Sequence, residues 1–227
     1  EDGEADILLH PWQSSFLLDE EKLAEVFQIP IFINSRDRLG CLKKLLQWLM
    51  KAGYHNIYIL DNDSTYAPLL DYYQEAEAAG INILYLRRNM GHTALWDSEI
   101  LEKLNIQTPY VYTDSDVVPG DDCPKTVLQE LARFLRKNPL IKKAGLGLFY
   151  EDITFYDQDY IKKVEQGYYE VPIAPDIYFA AVDTTFALYR NYRHYHFNIA
   201  VRFGGKYRAY HLPWYYDYKN LPVDEAY

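Results

Sequence analysis

Two carboxylates separated by one residue, Asp114 and Asp116, close the run Pro109-Tyr110-Val111-Tyr112-Thr113-Asp114-Ser115-Asp116. Alternate side chains of an extended chain share a face, so this spacing lets both acids converge as a strand runs out into a loop. Paired carboxylates at a strand end are hard oxygen donors suited to Mg2+ or Mn2+, ions that complete their shell with water and substrate phosphates. An Asp pair in a turn also reads as a solvated loop or a helix cap. Three more polar clusters raise the first reading: Asn34-Ser35-Arg36-Asp37, Asp61-Asn62-Asp63 and Arg87-Arg88-Asn89-Met90-Gly91-His92 each follow an apolar, strand-like run.

These runs belong to an alternation of strand and helix patterns that begins at residue 29. Residues 29–34 are continuously apolar, as in a strand buried on both faces. Leu39, Leu42, Leu45, Leu46 and Leu49 recur at helical spacing within 39–52, and Gly53 supplies a stop. Further strands are expected at 56–60, 81–86, 110–113 and 144–149, with helices at 67–79, 94–104 and 124–137. Such an alternation predicts an α/β fold, a mostly parallel central sheet with helices on both faces. Ligands of such sheets bind beyond the carboxyl ends of the strands, where all four polar clusters would crowd one edge. After residue 150 the pattern changes to a smaller β and loop elaboration. Residues 150–180 are rich in Tyr, Asp and Pro without clear period, 182–189 read as a strand, and 199–211 as a hairpin around Gly204-Gly205. No Gly/Ser/Pro linker divides the chain, so residues 1–227 are read as one domain.

Composition narrows the function classes. With 227 residues, 49% hydrophobic and 25% charged, the chain can bury a sizeable core and does not read as disordered. Its 23 basic and 33 acidic residues leave a net charge of −10, which argues against extended nucleic-acid binding or a polybasic membrane surface. An acidic chain needs a metal to accept a diphosphate. Cys41 and Cys123 are too few for a disulfide framework, which points to a reducing compartment, the cytoplasm. No apolar run approaches the ~18 residues of a membrane span. The opening Glu1-Asp2-Gly3-Glu4-Ala5-Asp6 is no signal peptide, and a start without Met reads as a trimmed or processed chain.

Over residues 29–217 the ordered clusters resemble nucleotide-sugar glycosyltransferases of the GT-A fold, most like the family 2 group. Asp114-Ser115-Asp116 resembles their DXD-type motif. Ile33-Asn34-Ser35-Arg36-Asp37-Arg38 resembles the first strand and loop that contact the nucleoside. Asp61-Asn62-Asp63-Ser64-Thr65 resembles the second strand end, where an Asp meets the nucleobase, and Asn89-Met90-Gly91 with Ala94 resembles the segment lining the donor site. The resemblance implies a hexosyltransferase-like enzyme using Mn2+ or Mg2+, a UDP-sugar or GDP-sugar donor, and a glycan or other hydroxyl acceptor. Residues 29–149 would be the nucleotide-sugar-binding half and residues 150–227 the acceptor half with a C-terminal metal or diphosphate loop. Donor contacts are then expected from Asn34, Arg36, Asp63, Arg87, Asn89, Gly91, His92, Asp114 and Ser115, with Arg88 an alternative cation for the phosphates. The ion is expected on Asp116 and Asp114, where it would neutralise the pyrophosphate as leaving group. His211, in His211-Leu212-Pro213-Trp214, would complete the shell, and imidazole favours Mn2+; the other reading packs it among Tyr210, Trp214 and Tyr215.

An inverting transfer needs a base for the acceptor hydroxyl. Asp183 is the candidate, a lone acid in an apolar run where an unpaired carboxylate would be costly to bury; a paired structural Asp is the other reading. The family's usual Glu-Asp pair is not evident after residue 190, and Glu165 and Asp217 stand in reserve. Tyr168, Tyr169, Trp214 and Tyr215 offer aromatic faces to an acceptor sugar, or pack. Three other readings compete. Asp114-Ser115-Asp116-Val117-Val118 also resembles the signature of haloacid-dehalogenase phosphatases, with Asp114 as nucleophile, but three strand–helix units precede it here. A sugar nucleotidyltransferase would want a Gly-rich loop after the first strand, which Asn34-Ser35-Arg36 does not supply. A non-catalytic nucleotide- or glycan-binding domain would have no need of the intact acids.

Overall fold

The computed structural model describes residues 25–154 and 158–224, so the reading of residues 1–6 lies outside the described residues. In chain order the elements are β1 (Ile31–Ser35), α1 (Leu39–Lys51), β2 (Ile57–Asp61), α2 (Ala67–Ala78), β3 (Asn82–Tyr85), α3 (Ala94–Asp97), α4 (Ile100–Lys103), β4 (Tyr110–Asp114) and β5 (Val117–Pro119). They continue with α5 (Val127–Lys137), β6 (Lys143–Leu148), α6 (Gln158–Gly167), β7 (Pro172–Ala174), β8 (Ile177–Phe179), β9 (Ala187–Tyr189) and β10 (Ala200–His211).

One sheet runs through the molecule in the order β3-β2-β1-β4-β9-β6-β10-β8-β7, with β5 paired to β10. β3, β2, β1 and β4 are parallel neighbours, and β10 is parallel to β6. β9 slots antiparallel between β4 and β6. The two-residue period of β1 sends Ile31 and Ile33 to one face and Phe32 to the other. On the first face Leu42, Leu45 and Leu46 of α1, Leu69 and Tyr73 of α2, and Leu128 and Leu131 of α5 join Ile31, Ile33, Ile57, Ile59 and Val111. On the second face Leu95, Trp96, Ile100 and Leu101 of α3 and α4 meet Phe32, Leu60, Tyr110 and Tyr112. The sheet is therefore covered on both faces, as the sequence pattern predicts. Both cysteines are buried and neither forms a disulfide. Among the described residues no helix is long and apolar enough to cross a membrane.

The later chain departs from expectation in four places. The helix expected at 94–104 breaks into α3 and α4, because Glu99 takes φ 56, a left-handed conformation that no α-helix continues through. Residues 150–180 contain α6 and the β7–β8 pair, whose short lengths leave little periodicity to read. Only Ala187–Tyr189 of the expected 182–189 strand is extended in the sheet; Phe186, at φ 49, ends an arch that precedes it. The expected hairpin at 199–211 is instead one bent strand, β10. Phe203 pairs with Leu146 and the next pair is Arg208 with Gly147, so residues 204–207 bulge out, with Gly205 at φ 56. The Gly-Gly pair that signalled a turn serves a bulge, and it redirects the strand toward β5.

Candidate functional site

Strand register builds the centre of the site. In the parallel β1–β4 pair Asn34 lies opposite Asp114, so both side chains emerge side by side on one face at the carboxyl end. Asn34 Nδ2 donates to Asp114 Oδ1 at 3.0 Å, and Asn34 Oδ1 accepts from Asn62 Nδ2 at 3.1 Å. The Gly91 carbonyl accepts from Asn62 Nδ2 at 3.0 Å and from Asn34 Nδ2 at 3.4 Å. One amide chain thus ties the ends of β1, β2 and β4 to the loop after β3. Asp114 Oδ2 accepts from the Thr184 hydroxyl, and the Asp114 N–H donates to the Thr184 carbonyl at 3.1 Å. Burial, and then the neighbouring Asp116 charge, push the Asp114 carboxyl up to about 7, against the opposing pull of the Thr184 and Asn34 hydrogen bonds.

Asp116 is placed by the turn between β4 and β5. Ser115 N–H donates to the Asn34 carbonyl at 2.9 Å, and β5 then pairs antiparallel with β10 so that His211 lies opposite Val117. The Leu212 N–H closes this corner on the Asp116 carbonyl at 2.9 Å. His211 Nε2 consequently stands 3.7 Å from Asp116 Oδ2. The same carboxylate oxygen is paired with the Arg38 guanidinium. Asp116 Oδ1 and His211 Nδ1 are both buried without a hydrogen-bond partner. Burial holds the His211 imidazole below its usual pKa, with Arg38 reinforcing the effect and Asp116 opposing it. His211 also sets its ring edge-on to Trp214 at 4.7 Å, so packing and proximity to Asp116 coexist.

The described residues contain no group of three His, Cys, Asp or Glu side chains close enough to hold a metal ion. The local chemistry nevertheless fits a divalent cation on two of the three expected ligands. Asp116 and His211 bring a carboxylate oxygen and an imidazole nitrogen together, each side chain with one buried polar atom unsatisfied. Both oxygens of Asp114 already accept hydrogen bonds, which orients it beside the pair.

The remaining expected donor residues divide. Asp63 and Arg87, both at positive φ, line a cavity of about 380 Å3 with Asp61, Ser64, Leu70 and Tyr85 at the ends of β2 and β3. Arg88 instead lines a separate hollow of about 510 Å3 with Met90, Glu99 and Lys103. Asn89 Oδ1 accepts from the Gly91 N–H at 2.9 Å, which shapes the turn. His92 is exposed and meets the Tyr195 ring edge-on at 5.2 Å. Arg36 is exposed and turns toward Asp37, 3.7 Å away. Ser115 is buried, 2% exposed, so it presents almost no surface to a ligand; its contribution is the backbone of the turn.

Asp183 is exposed rather than held in an apolar interior, because the arch before β9 turns it outward while Val182 and Thr184 stay buried. Its Oδ1 accepts from the Tyr195 hydroxyl at 2.7 Å. Its charge still acts on both neighbours, adding to the rise of the Asp114 pKa and opposing the lowering of that of His211, which places it in their electrostatic neighbourhood. Of the reserves, Glu165 is buried against Arg202 at 2.6 Å, and Asp217 caps the backbone of Lys219 at 3.0 Å. Tyr168 lies over the Arg202 guanidinium at 3.9 Å, Tyr169 donates to the Leu148 carbonyl at 3.1 Å, and Tyr215 to Asp152 at 2.9 Å. Sequence reasoning did not single out Arg38, Asn62 or Thr184 as functional. A Thr three residues before an apolar strand, or an Asn inside an acidic loop, carries no spacing signal of its own.

No family model matches the chain, and no curated protein matches it. Among solved structures it is similar to the mannosyltransferase PcManGT from Pyrobaculum calidifontis in complex with GDP-Man and Mn2+. The identity there is 12% over 71% of this chain and 44% of that one, with a TM-score of 0.46. It is similar to S. aureus TarS 1-349 at 13% identity over 71% of this chain and 46% of that one, TM-score 0.45. The likeness to a UDP-glucose pyrophosphorylase complexed with UDP-glucose covers 82% of this chain and 95% of that one, at 13% identity and TM-score 0.40. The matched region spans less than half the length of the first two structures.

Proposed function

We propose that this protein is a metal-dependent glycosyltransferase that moves a sugar from a nucleoside-diphosphate sugar to a hydroxyl acceptor with inversion. The observation that carries the reading is the convergence of four strand-end loops on one edge, with Asn34, Asn62, Gly91 and Asp114 joined by hydrogen bonds beside Asp116 and His211. In this reading Asp63 and Arg87 face the nucleoside in their cavity, with UDP the favoured donor nucleotide and GDP the alternative. Asp116 and His211 would hold Mn2+ or Mg2+, which would supply charge neutralisation for the diphosphate leaving group. Asp114, fixed by Asn34 and Thr184, would share in holding that ion or orient the donor's ribose or sugar. Asp183 takes the proton from the acceptor oxygen, and its exposure suits a group that must meet an incoming acceptor. Residues 29–149 serve the donor, and residues 150–227 the acceptor, together with the C-terminal metal or diphosphate loop that carries His211. A phosphatase reading would make Asp114 the nucleophile, yet both its oxygens are engaged by neutral donors.

A thermal-shift titration with UDP, GDP, CDP and dTDP, each with and without Mn2+, tests this directly. A ligand that binds only the folded state raises the melting temperature by mass action. One nucleotide is expected to stabilise the protein, and only with Mn2+; Asp116→Asn should abolish that shift while melting cooperatively by itself. No shift with any of the four would overturn the proposal.

A further inference from the structure

Beside the stripe of leucines that α1 buries, the same helix carries Lys44, Gln47, Trp48 and Lys51 at i, i+3, i+4 and i+7, a second single face. With Val118 and Pro119 of β5 and Asp121, Cys123 and Lys125 of the loop after it, this face lines a cavity of about 370 Å3. It shares no residue with the cavity at the ends of β2 and β3. Its floor is rigid. Pro119 and Cys123 are buried, and the half-buried Trp48 ring lies 6.3 Å from Tyr54 and edge-on to Phe186 at 6.2 Å. The loop is fastened on both sides, by the Gly120 N–H on the Arg208 carbonyl at 2.9 Å and the Tyr54 hydroxyl on the Lys125 carbonyl at 2.6 Å. The rim is cationic. Lys44, Lys51 and Lys125 are exposed, and among the described residues none of them has a carboxylate at ion-pair distance. Lys206, exposed on the bulge of β10, acts through its charge on the Cys123 thiol, which brings a fourth ammonium to this side. In a chain of net charge −10, gathering ammonium groups around one hollow costs mutual repulsion that a bound anion would relieve.

We propose that the cavity between α1 and the loop after β5 is a second ligand site, which takes a phosphate-bearing ring compound, a sugar phosphate or a nucleoside monophosphate, without a metal. The residue types select this class. Lysine ammonium groups are compact point charges that suit the three oxygens of a phosphoryl group, and no arginine lines the cavity to offer the planar fork that pairs with carboxylates. Trp48 offers an aromatic surface to the ring of a sugar or a base. The volume lies in the range of small-molecule sites. Here the positive charge comes from the chain itself, in contrast to the Asp114–Asp116 edge, so binding needs no cation from solution. The inference stands independently of the donor reading, because none of its residues belongs to that site.

Calorimetric titration at low salt with EDTA present, using glucose 6-phosphate, AMP and inorganic phosphate as separate probes, tests the site while any metal-dependent donor binding is suppressed. Glucose 6-phosphate or AMP is expected to bind more tightly than inorganic phosphate, and whichever of the two binds more tightly names the ring. The triple variant Lys44→Gln/Lys51→Gln/Lys125→Gln should weaken that binding at least about tenfold. A variant that removes three lysines elsewhere, Lys137→Gln/Lys163→Gln/Lys219→Gln, should stay within about twofold of wild type, since its loss of charge acts only at long range. If the first triple variant does not melt cooperatively, Lys51→Gln and Lys125→Gln carry the test singly, each with a loss of severalfold. No binding of any probe to wild type, equal losses in the two triple variants, or inorganic phosphate binding as tightly as both ring compounds would overturn the proposal. None of these outcomes touches the Mn2+-dependent nucleotide site.

Discussion

Asp183 and Asp114 show how two carboxylates a short distance apart acquire different roles from their surroundings. Asp114 is enclosed by Asn34, Thr184 and the buried turn, and its two oxygens are spoken for. Asp183 is exposed and accepts one hydrogen bond, from Tyr195, which leaves lone pairs free for an acceptor hydroxyl. The Tyr195 ring is wedged edge-on against His92 and Trp96, at 5.2 and 5.4 Å, so the hydroxyl that orients Asp183 is itself positioned from the donor side. Replacing Asp183 by Asn keeps the shape and removes the base. Steady-state transfer by Asp183→Asn is expected to fall by roughly 10²–10⁴-fold. The Mn2+-dependent nucleotide shift in melting temperature should persist, altered only by the loss of one nearby negative charge, because Asp183 hydrogen-bonds to Tyr195 and to no residue assigned to the nucleotide. Near wild-type transfer in this variant would take the base away from Asp183.

At the scale of elements, the site depends on how closely the arch before β9 approaches β6. A Cβ on Gly145 would stand 2.6 Å from Val182 Cγ1 and 2.9 Å from Ala187 Cβ, so only glycine admits this contact without a shift. The arch carries Thr184 to Asp114 and is further pinned by the Phe186 N–H on the Thr113 hydroxyl at 3.1 Å. Gly145→Ala is therefore expected to cost about 1–3 kcal/mol in urea denaturation and to weaken nucleotide binding as well, by displacing Thr184. Gly167→Ala, at the end of α6 with nothing within 4 Å of the added methyl, is the control and should be close to neutral. Equal effects of the two would show that the arch does not couple to the site. The same comparison explains what was legible in the sequence. α1 could be read because Leu42, Leu45, Leu46 and Leu49 all meet one sheet face, and β1, β2 and β4 because nearly all their residues are buried, giving continuous apolar runs. The arch could not, since its form comes from Gly145 and two hydrogen bonds between residues more than 35 apart. The β10 bulge was misread for a related reason: Gly-Gly marks a change of backbone direction, and only the partner strand decides whether that is a turn or a bulge.

Across the whole molecule, a strand-end rule located the candidate site better than any single motif did. Asn34, Asp61 and Asp114 stand at the ends of β1, β2 and β4 and Gly91 in the loop after β3, and the parallel register brings them to one edge. Which of them touch depends on side-chain geometry that spacing does not encode, so Arg38 on Asp116 and Thr184 on Asp114 emerged only in three dimensions. One electrostatic cost in the interior was equally hidden. Lys143 is fully buried on β6, donates to the Tyr189 hydroxyl at 2.9 Å, and lies over the Tyr189 and Tyr195 rings. Burial lowers its pKa from 10.5 to about 7, with Asp183 opposing the shift and Arg202 adding to it. Below about pH 7 both folded and unfolded chains carry this proton, and the cost of the buried charge is fully present. Between that value and 10.5 the unfolded chain binds the extra proton, so this group makes stability rise with pH, by at most ~1.4 kcal/mol per unit. The Cys123 thiol, pushed up by burial to about 12, acts in the opposite sense above the normal thiol range. Comparing each chain with itself between about pH 7 and about pH 8.5 keeps that contribution small. Lys143→Met preserves the long apolar stem and removes the charge. Urea denaturation should then show the variant gaining on wild type at the lower pH and converging with it at the higher one. A wild type–variant difference that stays constant across this range would mean that Lys143 is folded with its proton throughout and that its neighbours compensate the charge.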